Sequence, residues 1–167
     1  FVAVNTVYGI SLPIQQPSMV TPQMEEFFGY LISESDEYIG GKARSFNIRF
    51  HNNDELLLKR FANLSRSIFK LNPLKFENRT TKGIRISNWN FKEFLDGIGY
   101  RVNQKSHEKE IPEIIMKADN YVISRFLRAI ADGEGSVSNQ DIEITTGSEK
   151  MANKLSYLLL RFGIVAR

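Results

Sequence analysis

Two segments of the chain, one hundred residues apart, repeat one arrangement of small and acidic residues. Residues 27–36 read FFGYLISESD, residues 127–136 read LRAIADGEGS, and the two align without a gap. Small residues four positions apart share one face of a helix, where they let two backbones approach closely. A glutamate follows each small pair. The small residues are Gly29, Ser33, Ala129 and Gly133, and the glutamates are Glu34 and Glu134. We therefore expect two helices that pack through these faces and bring two carboxylates together.

Neighbouring carboxylates at two helix ends are unfavourable for stability alone. They repel each other, and at a helix C-terminus each one opposes the helix dipole. A divalent cation shared by the carboxylates removes this conflict. On a basic surface such a cation suits phosphodiester hydrolysis, because it activates water and stabilises the leaving oxygen. Glu34 and Glu134 are therefore predicted to be metal ligands and catalytic residues.

The composition is that of a folded soluble domain. The chain has 167 residues, of which 42% are hydrophobic and 25% are charged, so it is long enough to bury a core. It contains no cysteine, which excludes disulfides, cysteine-ligated zinc and a cysteine nucleophile. No apolar run approaches the roughly 20 residues of a membrane span. Since the chain begins at Phe1 without a targeting segment, we expect a cytoplasmic protein that was excised from a longer one.

Charge is distributed unevenly along the chain. The net charge is only +3, but residues 38–101 contain thirteen basic and five acidic side chains, so the remainder is acidic. This asymmetry predicts a basic face that binds a polyanion.

Hydrophobic periodicity and capping residues predict an α+β domain with an internal repeat. Helices are predicted at 22–34, from a cap at Asn53 or Asp54 to about Leu71, and at 90–96, 112–117, 120–132 and 148–162. Strands are predicted at 1–8, 44–51, 74–79, 83–87 and 141–146. The order of elements restarts after Asn120. We therefore divide the chain into a lead-in segment or linker (1–21), a first half (22–119) and the start of a second half (120–167).

The two repeated segments resemble the paired LAGLIDADG motifs of homing endonucleases, with Glu34 and Glu134 at the acidic position of each motif. Residues 107–115 resemble the Lys-x-Ile-Pro element between the motifs of intein-encoded members. Residues 157–164 are similar to the Leu-rich helix after the second motif. The resemblance covers residues 22–167. It departs from the usual glycine at Ser35 and at Ala129, which are both still small.

The resemblance implies a LAGLIDADG homing endonuclease fold, a pseudo-twofold αββαββα repeat whose antiparallel sheets form a saddle over double-stranded DNA. It implies an Mg²⁺-dependent endodeoxyribonuclease, with Mn²⁺ as an alternative ion, and a catalytic lysine at Lys109. It also implies an archaeal intein, in one precursor with a host protein. The family's second half has further strands beyond the part present here, so this half is expected to be incomplete and the isolated chain inactive if they are missing. Residues 142–146 and Ile164 are expected to be uncovered.

If this resemblance holds, the polar side chains of the strands contact DNA. Arginine and lysine reach guanine O6 and N7 in the major groove, or bind phosphate. The candidates are Asn47, Arg49, Lys75, Arg79 and Arg85, which fit a solvated strand face equally well. We expect Lys75, Arg79 and Arg85 to point outward and Phe76 inward.

Several alternatives stay open. Lys109 is either catalytic or a solvated lysine. Asp36 and Asp132 either support the acids or lie on the surface, and His51 is expected to be a polar residue at a strand end. The chain as a whole is either a nuclease or a catalytically inactive LAGLIDADG-type nucleic-acid-binding module, such as a DNA-binding regulator or an RNA maturase. A metabolic or structural α+β domain leaves the repeat unexplained.

Overall fold

A computed structural model of the chain describes residues 5–6, 9–40, 45–138 and 141–167. In this part of the chain, pairs of consecutive strands are separated by helices. The strands are β1 (Asn5–Thr6), β2 (Gly9–Ile10), β3 (Ser35–Gly40), β4 (Ser45–His51), β5 (Leu74–Glu77), β6 (Lys82–Ile86), β7 (Gly135–Ser138) and β8 (Asp141–Ile144). The helices are α1 (Pro22–Glu34), α2 (Glu55–Phe69), α3 (Trp89–Gly97), α4 (Glu113–Met116), α5 (Asn120–Glu134) and α6 (Glu149–Leu160).

Local capping signals set the helix boundaries. The Thr21 hydroxyl accepts a hydrogen bond from the backbone N–H of Met24 at 3.2 Å, so α1 begins at Pro22 as predicted. The Asp54 carboxylate caps α2 in the same way, and α2 ends where Lys70 adopts a left-handed conformation (φ 56°). The predicted helices are confirmed, and their ends differ from the prediction by a few residues.

The main sheet is antiparallel, with the strand order β3–β4–β6–β5. Its helix-covered face carries the buried side chains of Phe46, Ile48, Phe50, Ile84 and Ile86. Strands β7 and β8 form a second antiparallel pair. The predicted α+β class is therefore confirmed. Hydrophobic alternation did not locate β3 and β7, which follow α1 and α5 without a loop.

The predicted orientation of strand β5 is wrong. Leu74 pairs with Arg85 and Phe76 pairs with Gly83, so Leu74 and Phe76 lie on the exposed face of the sheet. Lys75 pairs with Ile84 and therefore points to the helix-covered side. There its ammonium binds the carboxylate of Glu55, at the start of α2, at 3.0 Å.

Aromatic side chains fill the core of the first half. The ring of Phe61 on α2 stacks on that of Phe27 (centroids 5.0 Å apart) and on that of Phe50 (4.3 Å). Phe69 and Phe91 extend this cluster toward α3. Full burial of one such side chain contributes about 1.5–3 kcal/mol, so the cluster holds α1 firmly against the sheet.

The lead-in segment is attached to this core. Ile14 is fully buried, and the backbone N–H of Gln15 donates to the Phe69 carbonyl at 3.0 Å. Strands β1 and β2 pair with each other. The predicted strand at residues 1–8 lies partly outside the described residues.

The second half leaves apolar side chains uncovered. Val137 and Ile142 are cross-strand neighbours on β7 and β8 and are 80% and 68% exposed. Ile164 is 52% exposed, whereas Ile144 is partly buried against the core. The expected exposure is therefore confirmed for Ile142 and Ile164. Within the described ranges, no helix combines the length and the apolar character needed to cross a membrane.

Helices α1 and α5 make the most extensive contact between any two described elements. A Cβ added to Gly29 would lie 2.5 Å from the Ala129 Cβ and 2.8 Å from the Phe126 carbonyl oxygen. A Cβ on Gly133 would lie 2.5 Å from the Ser33 Oγ. The predicted interface between the small faces is confirmed, and it has no room for even one added methyl group.

We predict that Gly29→Ala destabilises the fold by roughly 1–3 kcal/mol or more, because the added methyl group meets the backbone of α5. Gly97→Ala is the matched control, since no atom of the described residues lies within 4 Å of the position that its Cβ would take at this helix terminus. Urea denaturation of the two variants measures the difference. Equal stability of both variants would mean that the helices are not in close contact.

Within the described part of the chain, the acidic side chain of Glu25 is buried without a hydrogen-bond partner. Glu25 is fully buried on α1, four residues before Gly29, and no described residue donates a hydrogen bond to its carboxylate. Burial raises the pKa of Glu25 to about 8. The folded protein therefore holds this carboxyl group protonated at neutral pH.

We predict that Glu25 makes the protein less stable as pH rises. Because the pKa of Glu25 is higher in the folded state (about 8) than its ordinary 4.5, its contribution to stability is complete below pH 4.5 and is lost as pH rises to 8. At about 1.4 kcal/mol per pKa unit the loss is up to about 5 kcal/mol. The substitution Glu25→Met is expected to remove this dependence of stability on pH. The control substitution Glu143→Gln, at an exposed position, is expected to leave it unchanged. Unfolding free energies at pH 5 and pH 9 measure it, and parallel profiles for Glu25→Met and the parent would contradict the assignment.

Candidate metal and nucleic-acid site

The two predicted acids end the two packed helices. Glu34 is the last residue of α1 and Glu134 is the last residue of α5. The Cγ of Glu34 lies 3.0 Å from the point where a Cβ of Gly133 would stand, so the side chain of Glu34 passes directly over the residue before Glu134. Close packing of the small faces therefore brings the carboxylates into one site.

Electrostatics at this site favour a cation. Burial raises the pKa of Glu34, and the neighbouring charge of Glu134 raises it further. Burial also raises the pKa of Glu134. The ammonium of Lys109 opposes both shifts without cancelling them. Both carboxylates are therefore less stable as anions than exposed glutamates, and a bound cation compensates for this.

The side chain of Lys109 binds main-chain carbonyl groups at the end of α1. Its ammonium donates to the carbonyl oxygens of Ile32 at 2.9 Å and Ser35 at 3.0 Å, at the end of α1. Its own carbonyl accepts a hydrogen bond from Ser148 Oγ at 2.6 Å, at the start of α6. A cation at a helix C-terminus is favourable. The alternative of a freely solvated Lys109 is therefore wrong, since Lys109 fixes the helix end that carries Glu34.

A second polar group lies beside Glu34. The Nε2 of His51 is 2.7 Å from Oδ1 of Asp36, and the guanidinium of Arg49 binds the same carboxylate. Partial burial acts to raise the pKa of Asp36, but the hydrogen bonds from Arg49 and His51 outweigh it and hold this pKa below its usual value. His51 also acts to lower the pKa of Glu34. Sequence reasoning missed this group, although Arg49 and His51 are two residues apart in the predicted strand 44–51 and therefore lie on one face of it.

The other candidate acid, Asp132, lies apart from this group. It accepts a hydrogen bond from the Tyr30 hydroxyl at 3.4 Å and pairs with Arg128 at 3.6 Å. The contact with Tyr30 connects α5 to α1, whereas the pair with Arg128 lies within α5.

The donor set fits a cation that is shared with a substrate. Within the described ranges, no group of three His, Cys, Asp or Glu side chains is arranged to enclose a metal. Mg²⁺ is usually bound by one or two carboxylates together with water and substrate phosphates. Glu34 and Glu134 meet that requirement at the C-terminal ends of the helices.

The exposed face of the main sheet continues from this site. Asn47 and Arg49 on β4 and Arg85 on β6 point outward from it. Arg79 is exposed in the turn between β5 and β6. Lys75 is not part of this face, for the reason given above. Among the five candidate DNA contacts, three therefore share one face, one lies at its end and one lies elsewhere.

Known proteins match both the sequence and the fold. The family model of the LAGLIDADG-like domain matches residues 122–167. The chain is 35% identical over 147 residues to the replication factor C small subunit of Methanocaldococcus jannaschii, a match that covers 87% of this chain and 8% of that protein. It is 30% identical over 155 residues to a subunit of the A-type ATP synthase of Pyrococcus abyssi, covering 92% of this chain and 15% of that protein. The chain thus spans only a small part of either relative.

Solved structures share the fold at low sequence identity. A structure of the homing endonuclease I-DmoI superimposes with a TM-score of 0.69 at 14% identity, covering 87% of this chain and 79% of that one. The homing endonuclease I-WcaI, bound to its DNA recognition sequence, gives 0.52 at 13% identity, with coverage of 89% and 71%. The fold is that of the LAGLIDADG homing endonucleases. Residues 122–167 match the LAGLIDADG-like domain, which is the same family that the paired motifs resemble.

We predict that Lys109→Met destabilises the protein by roughly 1–3 kcal/mol, because the carbonyls of Ile32 and Ser35 lose a charged donor. Lys59→Met is the matched control, at an exposed position of α2. Thermal unfolding of both variants measures the loss. A Lys109 variant as stable as the control would show that the two hydrogen bonds do not hold the helix end.

Proposed function

We propose that the protein is a site-specific endonuclease that hydrolyses phosphodiester bonds in double-stranded DNA. The observation that carries the proposal is the juxtaposition of Glu34 and Glu134 at the edge of an exposed, arginine-bearing sheet. An arrangement that raises the pKa of both carboxylates costs stability in the free protein, so a ligand is the best explanation for it. A polyanion on the sheet and a cation at the acids together account for both features.

The cation is proposed to be Mg²⁺ or Mn²⁺, held by Glu34 and Glu134. Bound there, it supplies water activation and charge stabilisation at the scissile phosphate. Lys109 acts on this site as a positioning residue, because its two hydrogen bonds fix the end of α1 and so the direction of Glu34. Arg49 and Arg85 hold the duplex against the sheet.

We further propose that the domain is inserted in a host protein as part of an archaeal intein. One segment of about 150 residues is shared with a replication factor and with an ATP synthase, and it forms a small fraction of each matched protein. A replication factor and an ATP synthase subunit are different kinds of protein. The simplest reason for them to share such a segment is that it was inserted into each of them. The target DNA is then the host coding sequence with the insertion removed.

We predict that Glu34→Gln and Glu134→Gln each abolish cleavage of that DNA in Mg²⁺ or Mn²⁺ and leave its binding almost unchanged, because both variants keep their shape and lose a metal ligand. Glu93→Gln is the matched control at an exposed position of α3. Plasmid linearisation measures cleavage, and electrophoretic mobility shift measures binding. The full precursor and the chain are both assayed.

The outcomes of these assays distinguish the site assignment, the inactive binding module and the intein proposal from one another. If the parent cleaves the DNA and either glutamine variant still cleaves it, the assignment of Glu34 and Glu134 as metal ligands is overturned. Specific binding without cleavage by parent chain and precursor would favour the inactive nucleic-acid-binding module. Ligated host protein from the precursor would support the intein proposal, and a precursor that stays intact would contradict it.

A further inference from the structure

Three charged side chains form a row across the exposed face of the main sheet. Asp36 on β3 lies opposite Arg49 on β4, and Arg49 lies opposite Arg85 on β6. Directly opposed residues in an antiparallel sheet point to the same side, so the three side chains leave the sheet together. We call Asp36, Arg49 and Arg85 the charged row.

Arg49 is held in place within the charged row. Its guanidinium binds the carboxylate of Asp36, and the other oxygen of that carboxylate contacts His51 at 2.7 Å. The carboxylate is thus fixed from two sides. Arg49 is still about half exposed, with side-chain exposure of 46%, so part of this side chain stays open to solvent. An arginine fixed in this way presents its planar donor group in one orientation.

Arg85 is arranged differently. No carboxylate of the described residues pairs with it, and it lies directly opposite another arginine. Like charges in opposed positions destabilise a sheet. Arg85 is therefore placed at a cost to the free protein, which a ligand with closely spaced acceptors offsets.

We propose that Arg49 and Arg85 read two guanines in the major groove of the target, with Asp36 as the positioning residue for Arg49. This inference rests on the proposed function. Guanine presents two acceptors, O6 and N7, which match the donor fork of arginine. Neighbouring strands are about 4.8 Å apart, so the two side chains address adjacent base pairs. Arg79, which lies in a turn, contacts phosphate instead.

The experiment selects bound sequences from a random double-stranded DNA pool, in EDTA, with the parent and with variants. We expect the parent to select a motif with two guanines on adjacent base pairs. Arg49→Ala and Arg85→Ala each lose the preference for one of them by about 10- to 100-fold. Asp36→Asn weakens the preference at the guanine that Arg49 reads and keeps the other. The matched control Arg79→Ala lowers affinity for all sequences and keeps the motif.

Retention of both guanines by Arg49→Ala and Arg85→Ala would overturn the inference and leave the proposed function standing, because the parent still binds a motif. A parent that selects no motif at all would overturn both the inference and the proposed function.

We also expect Arg85→Gln to be thermally more stable than the parent, since the substitution removes the opposed charge. A loss of stability would contradict the interpretation of Arg85 as a residue kept for its ligand.

Discussion

Contact between two helix backbones is the constraint on which the rest of this structure depends. Gly29 against Ala129 and Ser33 against Gly133 leave no space for an added Cβ, so α1 and α5 meet in one register. That register places the last residues of both helices side by side. The paired acids, their raised pKa values and the position of the adjoining sheet all follow from it.

Much of the fold and the core of the site were predictable from sequence because their signals are local. Small residues at a spacing of four, followed by an acid, gave the helix pair and both glutamates. Capping residues gave the start of α1 at residue 22 and placed the start of α2 after Asn53 or Asp54, of which Asp54 is the cap in the structure. Hydrophobic periodicity gave the strand at 44–51. Each signal lies within one turn or one strand, so no knowledge of distant contacts was needed.

What could not be predicted depends on distant partners. Strand β5 lies at the edge of the sheet, and its two apolar residues point to the exposed face, so alternation gave the wrong side for Lys75 and Phe76. Lys109 finds its acceptors more than seventy residues away, at Ile32 and Ser35. The partnership of His51 with Asp36 depends on the register between β3 and β4, and alternation alone does not fix that register.

Our central proposal is that the close packing of α1 and α5 creates a site for one divalent cation, which Glu34 and Glu134 share. The most direct test is anomalous diffraction from crystals of the protein grown with Mn²⁺ and double-stranded DNA. We predict an anomalous peak between the two carboxylates and adjacent to a DNA phosphate. Manganese bound elsewhere, with no peak at the two glutamates, would contradict it.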